Sequence, residues 1–332
     1  MQKVISFNKS GYEPFLDFIK AYAIICVLIG HTIPYIHESG LSLFVDMQVP
    51  LFVLVQVFHV YKKDVYKLDI KKLFFRIFLP FFTIQMIPLA HGLLTNDDTK
   101  QFIIKYLIRG GIGPGSYYPW LYLQLAIIIP LVKPFFNRGS MLTKIIVVIL
   151  ICEGFEVLES LVNVPPLVHR LLPIRYFFLI FLGWTWVETG IVINWKTIIL
   201  SLFSLASVVY FEYFNSELEP WFYDTSWNIH RWPCYLYVSM LLCTFLYFLY
   251  SHIMNKAFIL KYVNKVAKSS YEIFLLQMVA IEMIPSICLT KSSIINYLIW
   301  LLIIFSVSII GGFYFHKVYS NLIRTSKPVV YV

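Results

Sequence analysis

Charged residues are scarce in this chain of 332 residues, where they make up only 14%, while 59% of the residues are hydrophobic. Soluble domains typically carry about 25% charged residues. This deficit excludes a protein whose main solvent is water. Long apolar runs recur instead from Phe15 to His316, and a helix that crosses a hydrocarbon core of about 30 Å needs roughly 20 such residues. We therefore predict an all-α, polytopic integral membrane protein, with residues 1–332 forming a single membrane-embedded domain.

Paired cysteines are also lacking. The five cysteines form no CxxC motif and fall mostly inside apolar runs (Cys26, Cys152, Cys234, Cys243 and Cys288). This pattern indicates neither a disulfide framework nor a metal cluster, and we expect no metal site. A cleavable signal is not evident either, because the short polar segment before Phe15 leads into an apolar run without a small-residue cleavage site. We expect the first span to act as an anchor.

Apolar runs long enough to cross a membrane recur about ten times. Their approximate bounds are 16–37, 41–61, 73–94, 118–136, 142–162, 171–189, 191–211, 232–252, 269–288 and 294–316. Short cytoplasmic loops collect Lys and Arg, and the basic residues fall mainly in inner segments when the N-terminus is placed inside. We predict about ten spans in the cytoplasmic membrane, with a cytoplasmic N-terminal segment (residues 1–14) and a cytoplasmic C-terminal tail (residues 317–332).

The net charge of +9 follows from this topology. The basic residues cap helix ends beside lipid headgroups, whereas a nucleic-acid site needs them on one solvated face with interleaved aromatic residues. We expect membrane lipids as partners and no nucleic acid.

Three ionisable residues lie in the first span: Asp17, Lys20 and His31. Each such group costs about 2.5–3.5 kcal/mol on insertion scales, so those that remain usually face a cavity or a partner. At 100° per residue, His31 lies within about 20° of Lys20 on the helix face and about 16 Å further along the axis. Asp17 is close enough to pair with Lys20. A snorkelling Lys20 with a hydrogen-bonded interior His31 remains an equally simple interpretation.

Other polar residues fall within or beside later spans. Arg175 needs a counter-charge, which Glu153 or Glu156 supplies in a structural salt bridge, the simpler interpretation. Arg76, at the inner start of span three, is either a positive-inside anchor or a phosphate ligand. Span nine adds Glu272, Gln277 and Glu282.

Two outer segments have unusual composition. Residues 110–116 read Gly-Gly-Ile-Gly-Pro-Gly-Ser, but no strand precedes them and no Lys-Ser/Thr follows, so we predict a turn into span four and not a phosphate loop. Residues 212–232 combine carboxylates with Trp and Tyr, which suits sugar binding, although an interfacial aromatic belt explains the aromatic residues equally well.

Several motifs follow one another in a fixed order. They are Leu16-Asp17-Phe18-Ile19-Lys20 with His31, Val49-Pro50-Leu51-Phe52, Lys72 through Arg76 to Pro80, Tyr118-Pro119-Trp120-Leu121, Arg175-Tyr176-Phe177-Phe178 with Leu182-Gly183-Trp184, and the run from Ser269 to Gln277. In this order and spacing the chain resembles, over nearly its whole length, the membrane-bound acyltransferase-3 family, which O-acylates bacterial cell-surface glycans. It departs from the family pattern at Lys20, where Arg is usual, at Gln56 and Val57 in place of Ser-Gly, and at Gln277 in place of a frequent His.

The resemblance implies a membrane O-acyltransferase, specifically an O-acetyltransferase. The donor would be cytoplasmic acetyl-CoA or another acyl-CoA, and the acceptor a hydroxyl of a cell-surface polysaccharide or lipid-linked glycan. The implied catalytic residues are His31, as general base or acyl carrier, with Lys20 and Asp17. The implied donor-binding residues are Lys20, Arg76 and Lys72, and the implied substrate-binding residues are Trp120, Arg175, Glu153, Tyr271 and Gln277. Polysaccharide biosynthesis or export proteins are expected partners.

Two other functions remain open from the sequence. A transporter or export component would use the polar groove as a path for the same polysaccharide without chemistry. A membrane sensor or scaffold would need neither His31 nor Lys20.

Overall fold

The computed structural model describes residues 3–7, 13–33, 36, 40–63, 68–95, 100, 102–104, 106, 110–162, 168, 171–213, 232–284 and 294–325. In chain order the helices are α1 (Pro14–Thr32), α2 (Ser42–Val45), α3 (Gln48–Tyr61), α4 (Ile70–Leu73), α5 (Leu79–Thr95), α6 (Tyr118–Asn137), α7 (Met141–Val162), α8 (Phe177–Thr189), α9 (Trp195–Tyr213), α10 (Tyr235–Tyr237), α11 (Cys243–Ile253), α12 (Ala257–Lys268), α13 (Ser270–Met283) and α14 (Ile294–Thr325). The predicted all-α class is confirmed, apart from a small sheet of β1 (Lys3–Ile5) and β2 (Ile191–Ile193).

Within the described ranges, six helical stretches are long and apolar enough to cross a membrane. They are Pro14–Thr32, Ser42–Tyr61, Ile70–Thr95, Tyr118–Asn137, Trp232–Ile253 and Asn296–Leu322. Large apolar side chains also cover the outside of the bundle, with Leu94 88% exposed and Phe203 70% exposed. A surface of this kind is stable against hydrocarbon and not against water. The protein is therefore a multi-pass membrane protein, while the total of about ten spans and the cytoplasmic N-terminus stay predictions.

Three helices end at residues other than those predicted from the sequence. The first span was expected to reach residue 37, but α1 ends at Thr32, where Ile33 turns to an extended conformation. Pro34 explains this end, because the residue before a proline is held out of the helical region. Span nine was expected to reach residue 288, but α13 ends at Met283. The last helix instead continues past the predicted end at 316 to Thr325.

A π-helical turn interrupts the third span at Phe74–Phe78. The N–H of Leu79 bonds the carbonyl of Phe74, one residue further back than in an α-helix. Pro80 accounts for the wider turn, since it has no N–H to donate to the carbonyl of Arg76. The predicted span at 73–94 is therefore not one regular helix.

The N-terminal segment is attached to the middle of the chain through β1 and β2. The strands are antiparallel and pair Lys3 with Ile193, Val4 with Val192 and Ile5 with Ile191, residues that are mostly β-branched and favour strands. Gly190 precedes β2 with φ of +73°, and a Cβ there would lie 2.4 Å from the carbonyl oxygen of Ile5, so only glycine fits. Span seven, predicted from residue 191, begins as a strand and becomes helical only at Trp195.

Two hydrophobic clusters form the interior. The larger core joins α3, α6, α8, α10 and α11 with the start of α1. The smaller core joins the second half of α1 with α5 and α13, through residues such as Leu28, Phe81 and Phe274. Helix α1 therefore contributes to both cores.

Candidate active site

The three ionisable residues of the first span lie on one continuous helix, α1. Asp17 is buried and pairs through Oδ1 with the ammonium of Lys20, so the predicted contact between them is confirmed. Lys20 keeps about a quarter of its side chain exposed (24%). Since α1 has no break between Lys20 and His31, the helical rise still separates them by about 16 Å.

His31 meets a residue from the other end of the chain. The side-chain Nε2 of Gln277 on α13 lies 3.0 Å from Nδ1 of the half-buried His31 ring. Gln277 is fully buried. A buried amide in this position fixes the plane of the imidazole ring.

The orientation of the Gln277 amide sets the position of the His31 proton. If the amide N–H donates to Nδ1, the ring carries its proton on Nε2. If the amide turns over, Oε1 accepts from Nδ1–H, and Nε2 is the ring nitrogen without a proton. Oε1 has no hydrogen-bond partner among the described residues. The second orientation is the one in which His31 can act as a base through Nε2.

The glycine-rich segment from 110 to 116 also approaches His31. Gly115 has φ of +83°, and a Cβ on it would lie 3.5 Å from Cε1 of His31 and 2.9 Å from the Phe274 ring. Gly113 approaches α13 still more closely, since a Cβ there would lie 2.6 Å from the carbonyl oxygen of Met278. The predicted turn into the fourth helix is confirmed, but its contact with His31 was not predicted.

Two side chains hold this segment in place. Gln85 on α5 is fully buried and bonds Ile112 twice, donating from Nε2 to its carbonyl at 3.0 Å and accepting its N–H at 2.9 Å. Trp120 on α6 donates its indole N–H to the carbonyl of Gly110 at 2.8 Å. The indole N–H of Trp120, predicted to bind substrate, is therefore engaged in holding the glycine segment.

Arg76 lies in the π-helical turn. The backbone carbonyls of the residues on either side of it accept hydrogen bonds from tyrosine hydroxyls. The hydroxyl of Tyr271 on α13 donates to the carbonyl of Ile77 at 2.8 Å. The hydroxyl of Tyr319 on α14 donates to the carbonyl of Phe75. Arg76 itself is exposed, as is Lys72. Because a π-helical turn is often found at functional sites, this fixed turn presents a basic group at a defined position.

Helix α13 connects this basic segment with His31. Tyr271 touches the turn that carries Arg76, and Gln277 touches His31. Six residues of helix separate the two contacts by about 9 Å along the axis. The structure thus joins Arg76, Tyr271, Gln277 and His31 through one rigid element.

A comparison with protein-family models identifies the family of this chain. The family model Acyl_transf_3, described as an acyltransferase domain, matches residues 13–317. The chain is a member of the acyltransferase-3 family. The match includes the residues from Asp17 to His31 and from Arg76 to Gln277. Neither a curated protein nor a solved structure gives a significant match.

This acyltransferase-3 protein contains a second polar group, in its larger core. Glu153 on α7 accepts a hydrogen bond from the indole N–H of Trp232 at 2.9 Å. Arg175 is buried, with its guanidinium in hydrogen-bonding reach of the Tyr235 hydroxyl. The predicted pairing of Arg175 with Glu153 or Glu156 stays a prediction.

Several residues of this membrane acyltransferase were missed from the sequence. Gln85 and Tyr319 looked like isolated polar residues on apolar helices, and no local pattern marked them. Gly115 did carry a signal, because closely spaced glycines indicate close backbone approach. The acidic and aromatic residues between 214 and 231 lie outside the described residues. Among the described residues, no three His, Cys, Asp or Glu side chains are grouped as a metal site requires.

Proposed function

We propose that the protein is an O-acyltransferase that moves an acyl group, most simply acetyl, from acyl-CoA to a hydroxyl of a cell-surface polysaccharide or lipid-linked glycan. The observation that carries the proposal is the His31 ring, with Nδ1 held by buried Gln277 and the Gly115 backbone packed against its edge. An imidazole held in this way can accept a proton through Nε2 near neutral pH.

The proposed reaction uses His31 as a general base. Nε2 takes the proton of the acceptor hydroxyl while the oxygen attacks the thioester carbonyl. The C–O bond forms, the C–S bond breaks, and the CoA thiolate leaves with the proton that His31 returns. The ring ends the cycle neutral, so no further reactant is needed.

The donor end of the proposed site is basic. Arg76 and Lys72 are exposed side chains four residues apart, suited to the phosphates of CoA. Lys20 is already paired with Asp17, so it contributes to phosphate binding only as part of this ion pair. The distances of about 9 Å along α13 and about 16 Å along α1 suit an extended pantetheine arm that reaches His31 from this end.

The neighbours of the His31 ring favour a small neutral acyl group. Gly115 and Gln277, which approach the ring, and Phe274, which like His31 lies beside Gly115, carry no charge. A dicarboxylic acyl group such as succinyl would need a cation for its second carboxylate. Acetyl needs none, which is why we propose acetyl.

The test is mass spectrometry of surface glycans from cells with and without the gene, complemented with wild type, His31→Ala or His252→Ala. His252 is an exposed histidine on α11 that bonds the carbonyl of Phe248 and serves as the matched control. We expect glycan acylation to fall by about 10²–10⁴-fold in His31→Ala and to persist in His252→Ala.

The purified protein separates the proposal from an export function. In proteoliposomes supplied with acyl-CoA and a glycan acceptor, covalent acylation is expected. Movement of the glycan without modification would contradict the proposal and support transport, and full activity of His31→Ala would remove His31 from the mechanism.

A further inference from the structure

Helix α12 (Ala257–Lys268) lies between the eighth and ninth predicted spans, in a stretch that we predicted from the sequence to be an inner segment. At 100° per residue, five apolar side chains fall within an arc of about 140°, and the lysines fall outside it. The five are Phe258, Ile259, Tyr262, Val263 and Val266. No Asp or Glu occurs between residues 256 and 268, which contain Lys256, Lys261, Lys265 and Lys268. Every charged residue of this stretch is therefore cationic.

A cavity lies between the apolar face of α12 and the first half of α1. It measures about 430 Å³ and is lined only by hydrophobic residues, among them Ala21 and Ile25 of α1 and Tyr262 and Val263 of α12. An apolar lining of this kind holds hydrocarbon and not a polar substrate.

The cavity is separate from the candidate active site. Its α1 residues, which include Ala21 and Ile25, are centred about 140° around the helix from Lys20 and His31. The donor path proposed above therefore runs along a different face of α1. A ligand in the cavity is not the acyl chain that reacts at His31.

The α12 residues at the rim of the cavity are typical of a helix that lies at the membrane interface. Phe258 is 72% exposed and Tyr262 50% exposed, next to the cationic face. Lys265 places its ammonium 4.1 Å from the centre of the Phe313 ring and docks α12 on α14. The other lysines, Lys256, Lys261 and Lys268, are exposed. Exposed aromatic groups beside a row of lysines are typical of helices that lie at anionic headgroups.

We propose that this groove binds an anionic phospholipid of the surrounding bilayer. One acyl chain occupies the cavity between α1 and α12, and the anionic headgroup lies at the surface, in the positive field that Lys256, Lys261 and Lys268 create together. Charge complementarity selects the headgroup, since the polar face carries lysines and no carboxylate. This inference is independent of the acyl-transfer reaction.

The test is native mass spectrometry of the purified full-length protein with added phosphatidylglycerol or phosphatidylcholine. Wild type is expected to retain phosphatidylglycerol preferentially. The triple variant Lys256→Gln, Lys261→Gln, Lys268→Gln is expected to weaken that retention by about tenfold or more, because each lysine near an anionic lipid surface contributes to binding. A matched triple variant at exposed lysines elsewhere, Lys63→Gln, Lys196→Gln and Lys317→Gln, is expected to behave as wild type.

The cavity is tested with two variants of one helix. Val263→Trp fills the space, whereas Leu260→Trp adds the same side chain at a position that does not line the cavity. Only Val263→Trp is expected to lower lipid retention. Equal retention of both lipids by wild type, an α12 triple variant that keeps phosphatidylglycerol, or equal retention by the two tryptophan variants would each overturn the proposal.

Discussion

His31 and Glu153 are both polar groups inside the helix bundle, but their hydrogen bonds have different roles. Around His31, an amide from α13 reaches Nδ1 and the backbone at Gly115 packs against the ring. Glu153 bonds Trp232, whose ring packs against Phe178 at a centroid distance of 5.1 Å. The bond to His31 orients a group that can take up and release protons, whereas the Glu153 bond is packed among aromatic rings.

This difference indicates a candidate active site at His31 and a purely structural contact at Glu153. A buried polar group is expensive in hydrocarbon, so both arrangements need a reason to persist. Hydrogen bonding inside an aromatic core is sufficient reason for Glu153 and Trp232, which tie α7 to the start of the eighth predicted span. His31 is oriented by Gln277 and approached by glycine backbone, which is how a reactive group is held. Variants in the two regions should therefore separate activity from stability.

Gln277→Leu is expected to give the largest effect. Loss of the amide frees the His31 ring to rotate, and a small misplacement of a catalytic group lowers the rate by about 10²-fold. Gln277→His, which restores a nitrogen partner of the kind frequent in the family, should retain much more activity. The measurement is kcat for acyl transfer, and equal rates for the two variants would contradict the positioning role.

Gly115→Ala is expected to follow, with a loss of about tenfold in kcat, because displacing a backbone that lies against a catalytic group misaligns it. Gly139→Ala is the matched control, since Gly139 also has a positive φ, +77°, but nothing lies within 4 Å of its Cβ position. Backbone strain alone would lower the melting temperature of both variants. Only the close approach to Phe274 and His31 predicts a kinetic defect that is confined to Gly115→Ala.

Tyr271→Phe and Tyr319→Phe are expected to act on donor binding. Each removes one hydrogen bond of about 1 kcal/mol to the turn around Arg76, which corresponds to a rise of about fivefold in KM for acyl-CoA. Tyr314→Phe, at an exposed position of the same helix as Tyr319, should leave KM unchanged. A fall in kcat without a change in KM would argue against a donor site at Arg76.

Trp232→Phe should have the smallest effect on activity. It leaves the Glu153 carboxylate without its indole donor and lowers stability by about 1–3 kcal/mol, while kcat stays within about twofold of wild type, the usual range for a change away from the site. Thermal unfolding in detergent together with acyl-transfer rates gives both values. A large loss of kcat with unchanged stability would contradict the structural role of Glu153 and assign it to the active site.

The part of the site on α1 was predictable because it is local. Asp17 and Lys20 are three residues apart, and helical spacing alone brings such side chains together. The same spacing placed His31 on the Lys20 side. These predictions needed only that residues 17 to 31 form one helix, which they do.

The contact between His31 and Gln277 could not be derived in this way. The two residues are 246 positions apart, and their approach depends on how α13 packs on α1. The sequence marked Gln277 only through its place in a family motif. Helix α12 was missed for another reason, since its lysines interrupt the apolar runs by which spans were recognised.

The pairing of β1 with β2 limits how the chain can thread through the bilayer. Hydrogen-bonded strands must lie on one side of the hydrocarbon, so the chain crosses an even number of times between Ile5 and Ile191. Four of the candidate spans fall in this interval, from Pro14–Thr32 to Tyr118–Asn137. If these four stretches are the spans that cross before α7, then α7 and α8 cross as a pair or not at all, and the chain returns after α8 to the side on which it began.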